Sequence, residues 1–334
     1  MNNHTNEIDI AVSTRVRLAR NISGIPYPRK MSAVQAKELI DTVWSAFDNS
    51  PLKNELRKIE ISTISDLEKK ALIEKHLISP ELCASKVPSV AIISNDEKIS
   101  VMVNEEDHLR IQVFSDGLDP DSAYDTAKKI EKLLSEKLTF DRDSEFGYLT
   151  SCPTNAGTGL RASVMLHLPA VSTSGQVNPL LKWAANLGMT VRGLYGEGSR
   201  ASGALFQLSN QITMGTSEED ILSRFSAAAC SLISEERRLC AQLFENNEYE
   251  MKDKCLRSLG ILKNAYMISS SEAMNLVSNV CMGANAGIIK NIDLNALRKA
   301  MFSSMPATLI MENENITPQD RDVKRAQILQ KSLI

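Results

Sequence analysis

The sequence lacks the features of a nucleic-acid-binding or membrane-spanning protein. Its 334 residues carry 38 Lys and Arg against 41 Asp and Glu, a formal net charge of −3, so it has no general electrostatic attraction to nucleic acid or anionic lipid. The longest apolar runs, such as residues 162–170, are far shorter than the roughly 20 residues that a membrane-spanning helix requires. We therefore expect no direct nucleic-acid partner and no membrane partner, and any anion site must be built locally.

Signals for export and for cross-linking are also missing. The first ten residues, MNNHTNEIDI, contain neither a basic nor an apolar stretch, which argues against a secretory signal peptide. The six cysteines lie far apart, without a CxxC pair or a histidine at metal-ligand spacing, so reduced thiols are predicted rather than disulfides or a zinc site. We expect a soluble, cytoplasmic protein without a metal site formed by its own side chains.

The hydrophobic period changes near residue 215. Before this position several segments alternate with the period of two that is typical of strands with one buried face, and residues 32–48 and 120–138 have the pattern of amphipathic helices. After it the pattern is helical. We therefore predict a sheet-based unit at 1–215 and an α-helical unit at 216–334.

The C-terminal third contains several helix-start signals. Thr216-Ser217-Glu218-Glu219 fits a capping box, and the apolar residues after it fall at three- and four-residue steps along one face that only Glu236 interrupts. Further helices are predicted over 269–280 and 293–302. The Thr-Pro pair at 317–318 predicts an N-cap followed by proline at the first helical position.

The segment VSTRVRL (12–18) alternates as a strand. Val12 and Val16 fall on its apolar face, whereas Arg15 and Arg17 fall side by side on the opposite face. Two guanidinium groups that point the same way suit bidentate recognition of phosphate. A solvated sheet edge is the common alternative for an Arg-x-Arg pair.

The segment VMVNEEDHLRI (101–111) is predicted to alternate in the same way. Asn104, Glu106, His108 and Arg110 then share one face, which places a carboxylate beside an arginine. A functional acid and an ordinary cross-face salt bridge fit this pattern equally well.

A polar, turn-rich stretch, SCPTNAGTG (151–159), precedes another alternating segment. The even positions of LRASVMLHL (160–168) are all apolar, so Arg161 projects from the opposite face. A lone cysteine is most often a buried structural thiol. Cys152 differs because it lies in a polar loop ahead of an arginine, where a positive neighbour favours the thiolate.

The segment VRGLYGEGS (191–199) places Arg192 and Glu197 around three glycines. Glycine permits close approach of the backbone to a ligand. The spacing matches neither the P-loop nor the dinucleotide fingerprint, so the segment is weak evidence by itself.

A charged helix face is predicted near the C-terminus, in RDVKRA (321–326). Arg321, Lys324 and Arg325 share this face, and Asp322 is paired with Arg325 at i,i+3. Such a face is usually a solvated surface with salt bridges.

Taken in order, four of these segments resemble a known family. STRVRLARN, NEEDHLRI, SCPTN-GTGLRASV and VRGLYGEGS are similar to the guanidino-kinase (phosphagen kinase) superfamily, most closely to its bacterial protein-arginine kinase (McsB) branch. EKHLISPEL (74–82), FQLSNQITMG (206–215) and RDVKRA extend the resemblance from about Ile8 to the chain end. It implies an α+β fold: a catalytic domain with a large, mainly antiparallel sheet flanked by helices, then a helical domain with a phosphoarginine-recognition motif.

The resemblance also assigns roles to residues. Arg15, Arg17, Arg110, Arg161 and Arg192 would surround the phosphates of ATP with its Mg²⁺, and His76 would contact the nucleotide. Glu106, Glu197 and Cys152 would hold the acceptor guanidinium, with Glu106 as the principal base. The implied phosphoarginine motif is Arg321, Asp322, Arg325 and Ala326. The full implied ATP-binding set is Ser13, Thr14, Arg15, Val16, Arg17, His76, Arg110, Arg161, Ala162, Ser163, Val164, Met165, Arg192, Gly193, Leu194, Tyr195, Gly196 and Glu197.

The implied activity is ATP-dependent phosphorylation of arginine side chains in proteins, which would mark them for Clp-type degradation and regulate a stress-response repressor. Creatine- and arginine-type members carry a helical domain ahead of STRVR, whereas this chain reaches Arg15 almost at once, which implies an open site for an arginine on a protein surface. Implied partners are substrates with exposed arginine, an McsA-type activator, that repressor, a Clp AAA+ unfoldase and a second copy in a homodimer.

Two other functions remain open from the sequence. One is a kinase for free arginine or another small guanidino compound, and the other is a non-catalytic phosphoarginine-binding adaptor. The acceptor residues argue against the adaptor, because a binding module needs no acceptor site. Arg200 replaces the acidic residue that the branch has after GEGS, which leaves the substrate preference of that loop open.

Overall fold

The computed structural model of the chain describes residues 7–48, 50–193, 202–313 and 316–333. In these ranges eight strands form one sheet in which all neighbouring strands are antiparallel, and two more form a small hairpin. The strands are β1 (Ala11–Arg20), β2 (Leu56–Glu60), β3 (Val90–Ser94), β4 (Ile99–Val103), β5 (Leu109–Asp116), β6 (Arg142–Asp143), β7 (Gly147–Tyr148), β8 (Leu160–His167), β9 (Met189–Gly193) and β10 (Leu205–Asn210). The sheet order is β2-β3-β4-β5-β1-β8-β10-β9, which confirms the predicted α+β class.

Twelve α-helices accompany the sheet in the described ranges. They are α1 (Ala33–Asp48), α2 (Asp66–Glu74), α3 (Pro80–Cys83), α4 (Pro120–Ser135), α5 (Pro169–Thr173), α6 (Val177–Asn186), α7 (Glu218–Asn246), α8 (Glu248–Asn264), α9 (Ser270–Asn285), α10 (Leu294–Ser303), α11 (Pro306–Glu312) and α12 (Pro318–Lys331). Helices α1 and α4 confirm the two predicted N-terminal helices. Their buried side chains share one hydrophobic cluster with the apolar face of β1.

β1 lies in the middle of the sheet, between β5 and β8. As predicted, Val16 is in the core, and Arg15 and Arg17 alternate onto the opposite face. The prediction is wrong for Val12, which packs against a second hydrophobic cluster instead. A β-bulge between Ala11 and Ser13 is the reason, because one extra residue reverses the side to which Val12 points.

The predicted continuous strand over 101–111 is also wrong, because β4 and β5 form a hairpin. Asn104 turns the chain with a positive φ of 61°. Its side-chain amide donates to the carbonyls of Ala36 and Pro88 at 3.1 and 2.9 Å. Four consecutive polar residues, NEED at 104–107, occupy the turn, where strand alternation no longer applies.

The four residues predicted to share a face instead form two separate pairs, Asn104 with His108 and Glu106 with Arg110. Asn104 and His108 are fully buried, and His108 Nδ1 accepts a hydrogen bond from the backbone N–H of Ile22 at 2.9 Å. Glu106 lies in the turn, with its Oε2 3.8 Å from Nη2 of Arg110. The acid and the arginine are therefore close, but through a turn and not through a strand face.

Helix α7 begins one residue later than predicted. Ser217, and not Thr216, is the cap, and its hydroxyl accepts from the N–H of Asp220 at 3.0 Å. The apolar stripe is confirmed, because its residues join the core of the sheet. Helices α8, α9, α10 and α12 instead build the second cluster. The division of the chain at residue 215 stays a prediction.

Glu236, the acid within that stripe, is buried against α5. Its two carboxylate oxygens accept from the N–H groups of Ala170 and Val171 at 2.7 and 2.9 Å. Burial raises the pKa of Glu236 to about 7, although these two hydrogen bonds oppose the rise. The carboxylate fastens α5 to α7 through the backbone.

We expect the protein to lose stability relative to a Glu236→Gln variant as the pH rises from 4.5 to about 7. The pKa of Glu236 is higher in the folded than in the unfolded state, so the folded state binds the proton more tightly. This stabilisation is complete below the unfolded-state pKa and disappears above the folded-state pKa. The relative change should reach up to about 3 kcal/mol. Urea unfolding of both proteins at pH 5 and pH 8 measures it, and parallel pH dependences would contradict the expectation.

The other predicted C-terminal helices are present. Ser269, Asp293 and Thr317 cap α9, α10 and α12 through their side chains, and Pro318 occupies the first turn of α12. Within the described ranges, no helix combines the length and apolar character needed to cross a membrane.

Candidate active site

The strand registers place five arginines on one face of the central sheet. Arg17 of β1 lies directly opposite Arg161 of β8, and paired residues of antiparallel strands share a face. Ala19 of β1 lies opposite Arg110 of β5, two residues from Arg17. Gln207 of β10 lies opposite Arg192 of β9, and its Oε1 accepts from Arg15 Nη2 at 3.1 Å. This arginine face consists of Arg15, Arg17, Arg110, Arg161 and Arg192.

The arginine face has the electrostatics of an anion site. Burial, followed by repulsion from Arg110 and Arg161, lowers the pKa of Arg15 to about 10. Burial and then the other arginines lower the pKa of Arg17 well below its ordinary value. Nε of Arg17 is buried without a hydrogen-bond partner among the described residues. Crowded cations with an unsatisfied donor fit a polyphosphate, which offers charge and acceptor oxygens together.

His76 borders this face at the C-terminal end of α2. Its N–H donates to the carbonyl of Ile73, and the N–H of Leu77 donates to the carbonyl of Leu72, both at 2.9 Å. These are the two bonds of a Schellman C-cap, in which glycine usually occupies the position of His76. The φ of His76 is 57°, a conformation that is costly for a non-glycine residue and typical of functional positions. Burial, then the two arginines of β1, lower its pKa to about 4, so the imidazole is neutral at pH 7.

A cavity of about 190 Å³ opens at one end of the arginine face. It brings two of the three predicted acceptor-binding residues, Glu106 and Cys152, together with three of the five arginines. The third predicted acceptor residue, Glu197, lies outside the described residues. The cavity is lined by Arg17, Ala19, Glu106, Arg110, Cys152, Thr154, Asn155, Gly159 and Arg161.

Hydrogen bonds join the two loops that carry Glu106 and Cys152. The N–H of Ser151 donates to Asp107 Oδ1, and its hydroxyl donates to the carbonyl of Glu106, both at 2.6 Å. Asp107 Oδ1 also accepts from Asn21 Nδ2 at 2.7 Å. Because Cys152 follows Ser151 directly, these bonds fix the thiol near the Glu106 carboxylate.

The sequence pattern did not reveal Glu105 as a site residue. Its Oε1 lies 2.6 Å from Nη1 of Arg110, much closer than the carboxylate of Glu106 at 3.8 Å. The hydroxyl of Ser79 also donates to Glu105. Alternation had assigned Glu105 to the apolar side, and the run NEED was the signal that could have indicated a turn instead.

Because Glu105 forms the close ion pair with Arg110, the carboxylate of Glu106 has only a longer contact with this arginine. Its side chain is 29% exposed. Burial and then Asp107 raise the pKa of Glu106, whereas Arg110 opposes the rise. A carboxylate with a raised pKa at the mouth of a cavity is suited to accept a proton.

Four residues of the predicted nucleotide-binding segments face the core. Thr14, Val16, Ala162 and Val164 are fully buried, and the hydroxyl of Thr14 donates to the carbonyl of Gly117 at 2.6 Å. Their side chains therefore point away from the arginine face. A nucleotide on that face would meet these segments through the arginines and not through these four side chains.

The other described residues of the predicted ATP-binding set lie on or beside the arginine face. The hydroxyl of Ser163 donates to the carbonyl of Arg15 at 3.2 Å. Ser13 lies opposite Met165, which belongs to the second hydrophobic cluster, and Gly193 ends β9. Outside the described residues lie Leu194, Tyr195, Gly196 and Glu197, together with Arg200.

Arg325 of the predicted phosphoarginine motif is buried, with 2% of its surface exposed. Its Nε donates to the carbonyl of Ser304 at 3.0 Å, and its Nη1 donates to the carbonyl of Ile268 at 2.8 Å and to Asp322 Oδ1 at 2.5 Å. The predicted pair with Asp322 is confirmed. The solvated-surface interpretation is wrong for Arg325, because α12 packs this side chain against the end of α10. Arg321 is half-buried, and Ala326 is buried in the second cluster.

Comparison with known families agrees with this geometry. The model of the ATP:guanido phosphotransferase C-terminal catalytic domain matches residues 38–239. The chain therefore belongs to the ATP:guanido phosphotransferase family. The model of the protein-arginine kinase McsB C-terminal domain matches residues 248–334.

Curated relatives narrow the family further. A protein-arginine kinase of Clostridium kluyveri is 43% identical over 326 residues, which cover 97% of this chain and 94% of the relative. The protein-arginine kinase of Halothermothrix orenii is 42% identical, with 98% and 94% covered, and that of Clostridium acetobutylicum is 41% identical, with 100% and 98% covered. Within its family the chain belongs to the protein-arginine kinases.

Solved structures share the fold. A crystal structure of lombricine kinase matches with a TM-score of 0.63 and 22% identity, over 70% of this chain and 68% of that chain. The substrate-free duplicated taurocyamine kinase of Schistosoma mansoni matches with a TM-score of 0.63 and 20% identity, over 82% and 40%. The predicted guanidino-kinase fold is confirmed.

Proposed function

We propose that the protein transfers the γ-phosphoryl group of ATP to arginine side chains of proteins. The observation that carries this proposal is a single cavity where the arginine face meets the Glu106 and Cys152 loops. Phosphate recognition and acceptor recognition are thus adjacent, as a direct transfer requires. The protein substrate class is supported by the names of the curated relatives.

In this proposal the arginine face binds the nucleotide phosphates. The five arginines of this face neutralise charge and surround the phosphates, and the neutral imidazole of His76 contacts the nucleotide. Within the described ranges, no group of three or more His, Cys, Asp or Glu residues is arranged to hold a metal ion. We expect Mg²⁺ to enter on the phosphates of ATP, where it would neutralise the charge that develops during transfer.

The acceptor is the difficult partner. A guanidinium has a pKa above about 12, so a free neutral guanidine at pH 7 costs about 8 kcal/mol. Glu106 is proposed to orient the planar group and to accept one proton as a guanidino nitrogen bonds to the γ-phosphorus and the bond to the β–γ bridging oxygen breaks. ADP then leaves. Cys152 and Glu197 are proposed to bind the other edges of the guanidinium.

The finer parts of the function rest on the family resemblance. We propose that Arg321, Asp322, Arg325 and Ala326 recognise phosphoarginine, and that a cytoplasmic homodimer works with an McsA-type activator. A stress-response repressor would be one substrate, and a Clp AAA+ unfoldase would receive the phosphorylated clients. In the structure described, Asp322 is paired with Arg325, so phosphoarginine would have to share or displace this pair.

The direct test is incubation with Mg-ATP and an unfolded protein, followed by detection of acid-labile phosphate on arginine. We expect this product, and a much slower turnover of ATP with free arginine as the acceptor. The opposite preference would identify a small guanidino kinase. Tight binding of a phosphoarginine peptide without turnover would identify an adaptor.

A further inference from the structure

Glu74, the last residue of α2, caps a helix that is remote in the chain. Both of its carboxylate oxygens accept from the N–H of Ala307 at 3.0 Å. One of them also accepts from the N–H of Thr308 at 3.0 Å and from its hydroxyl at 3.3 Å. The N-cap residue of α11, Met305, makes no side-chain cap hydrogen bond. Glu74 therefore supplies the cap that α11 itself lacks.

Glu74 precedes His76 by two residues, and His76 lies in the loop that follows α2 at the edge of the arginine face. On the sheet side, Gln112 Nε2 donates to the carbonyl of His76 at 2.7 Å, and the hydroxyl of Ser100 donates to the carbonyl of Leu77 at 2.6 Å. On the other side, Glu74 joins the loop to α11. The loop is therefore held between the sheet and the C-terminal helices.

The conformation of His76 requires such external contacts. A left-handed φ is unfavourable for a residue with a Cβ, so the loop would relax if its surroundings did not restrain it. The neighbouring Lys75 pairs with Glu97 at 2.9 Å, but both side chains are about one-third exposed, and exposed pairs contribute little. The hydrogen bonds of Glu74 are the stronger restraint, because a carboxylate accepts them.

We propose that Glu74 is a positioning residue for the nucleotide: by capping α11 it holds the His76 loop where the imidazole contacts ATP. This inference rests on the proposed function, since the contact of His76 with the nucleotide is part of it. Glu74 acts through His76 and is not itself a catalytic residue.

Electrostatics alone predicts that loss of the Glu74 charge strengthens nucleotide binding, which is the opposite of what the proposal predicts. Removal of a negative charge near a cluster of arginines should by itself strengthen the attraction of ATP. Loss of the cap should weaken nucleotide binding, because the imidazole is then no longer fixed. The direction of the change therefore separates the two effects.

The test compares Glu74→Gln with Glu81→Gln, which removes an exposed acid of α3 that makes no ion pair among the described residues. Glutamine has the shape of Glu74, but its amide group would face backbone N–H donors. Calorimetry with Mg-ADP and steady-state kinetics with an unfolded protein acceptor give the readouts. For Glu74→Gln we expect Kd for Mg-ADP and KM for ATP to rise roughly five- to tenfold, about the net contribution of one ordinary hydrogen bond. The kcat and the KM for the acceptor should stay close to wild type, as should every constant of Glu81→Gln.

A second variant, Thr308→Val, keeps the carboxylate and removes only its longest hydrogen bond, so a smaller rise in Kd is expected. If Glu74→Gln does not fold, Thr308→Val becomes the test. A Kd for Mg-ADP equal to that of wild type then overturns the inference. Nucleotide binding by Glu74→Gln that equals or exceeds wild type also overturns it, as does a lower Tm with unchanged Kd, which would indicate a purely structural role. Wild-type protein that binds no Mg-ADP would instead refute the proposed function.

Discussion

A Glu106→Gln variant is expected to lose about a thousandfold in kcat, within the range for removal of a general base, and to keep its affinity for ATP. The amide has the shape of the carboxylate but cannot accept the proton of the guanidinium. Nucleotide binding should persist because Glu105, and not Glu106, is the close partner of Arg110. Single-turnover kinetics with a protein acceptor, together with calorimetry using Mg-ADP, measure the two effects separately.

The matched control is Glu136→Gln, which removes an exposed acid at the end of α4. This variant should keep wild-type rate and affinity. A Glu106→Gln protein that retains more than about a tenth of the wild-type rate would show that another group takes the proton.

The pH dependence of kcat/KM tests independently whether Glu106 is the general base. Burial raises the pKa of this carboxyl, so the acid limb of kcat/KM should have its midpoint above the ordinary value of a glutamate. The rate should rise with pH through that midpoint, because only the deprotonated form accepts a proton. An acid limb that is unchanged in Glu106→Gln would assign this titration to another group.

The second large effect is expected for Arg161→Gln, which should lower kcat/KM by about a hundred- to a thousandfold, the usual loss when one charge-stabilising donor is removed. Arg161 lies both on the arginine face and in the wall of the cavity, next to Glu106 and Cys152. It is therefore placed to neutralise the γ-phosphoryl group during transfer. Steady-state kinetics with varied ATP measures the loss.

The thermal stability of Arg161→Gln should not decrease, in contrast to its activity. Arg161 lowers the pKa of both Arg15 and Arg17, so its removal relieves repulsion in the folded protein and the Tm should not fall. The control is Arg257→Gln, because the side chain of Arg257 is 73% exposed and far along the chain from the site. Retention of a tenth or more of the wild-type kcat/KM by Arg161→Gln would remove it from the proposed machinery.

The strand pattern predicted the arginine face well because alternation is a local property. The positions of Arg15, Arg17 and Arg161 follow from a period of two that each strand carries in its own sequence. The same rule failed at Val12 and at NEED (104–107), where a bulge and a turn interrupt the period. The polar run NEED was visible in the sequence, but the ion pair between Glu105 and Arg110 was not.

Buried polar side chains were the hardest to predict. Arg325 has a surface-like sequence context, and its burial results from the packing of α12 against the end of α10. Glu236 interrupts an apolar stripe, and only the neighbouring start of α5 explains how it is accommodated. Glu74 and Ala307 are likewise joined across most of the chain. Sequence spacing carries no information about such contacts.

By itself the sequence determined the main helices, the face of β8 and the face of β1 beyond its bulge, because these depend on residue order within single segments, and the class of fold followed from the family resemblance. Its motifs also determined the family. Tertiary structure alone decided that Glu105 neutralises Arg110, that Glu106 and Cys152 share one cavity, and that Glu74 caps α11. These arrangements depend on the register of strands and on the packing of distant helices, which are fixed only when the whole chain has folded.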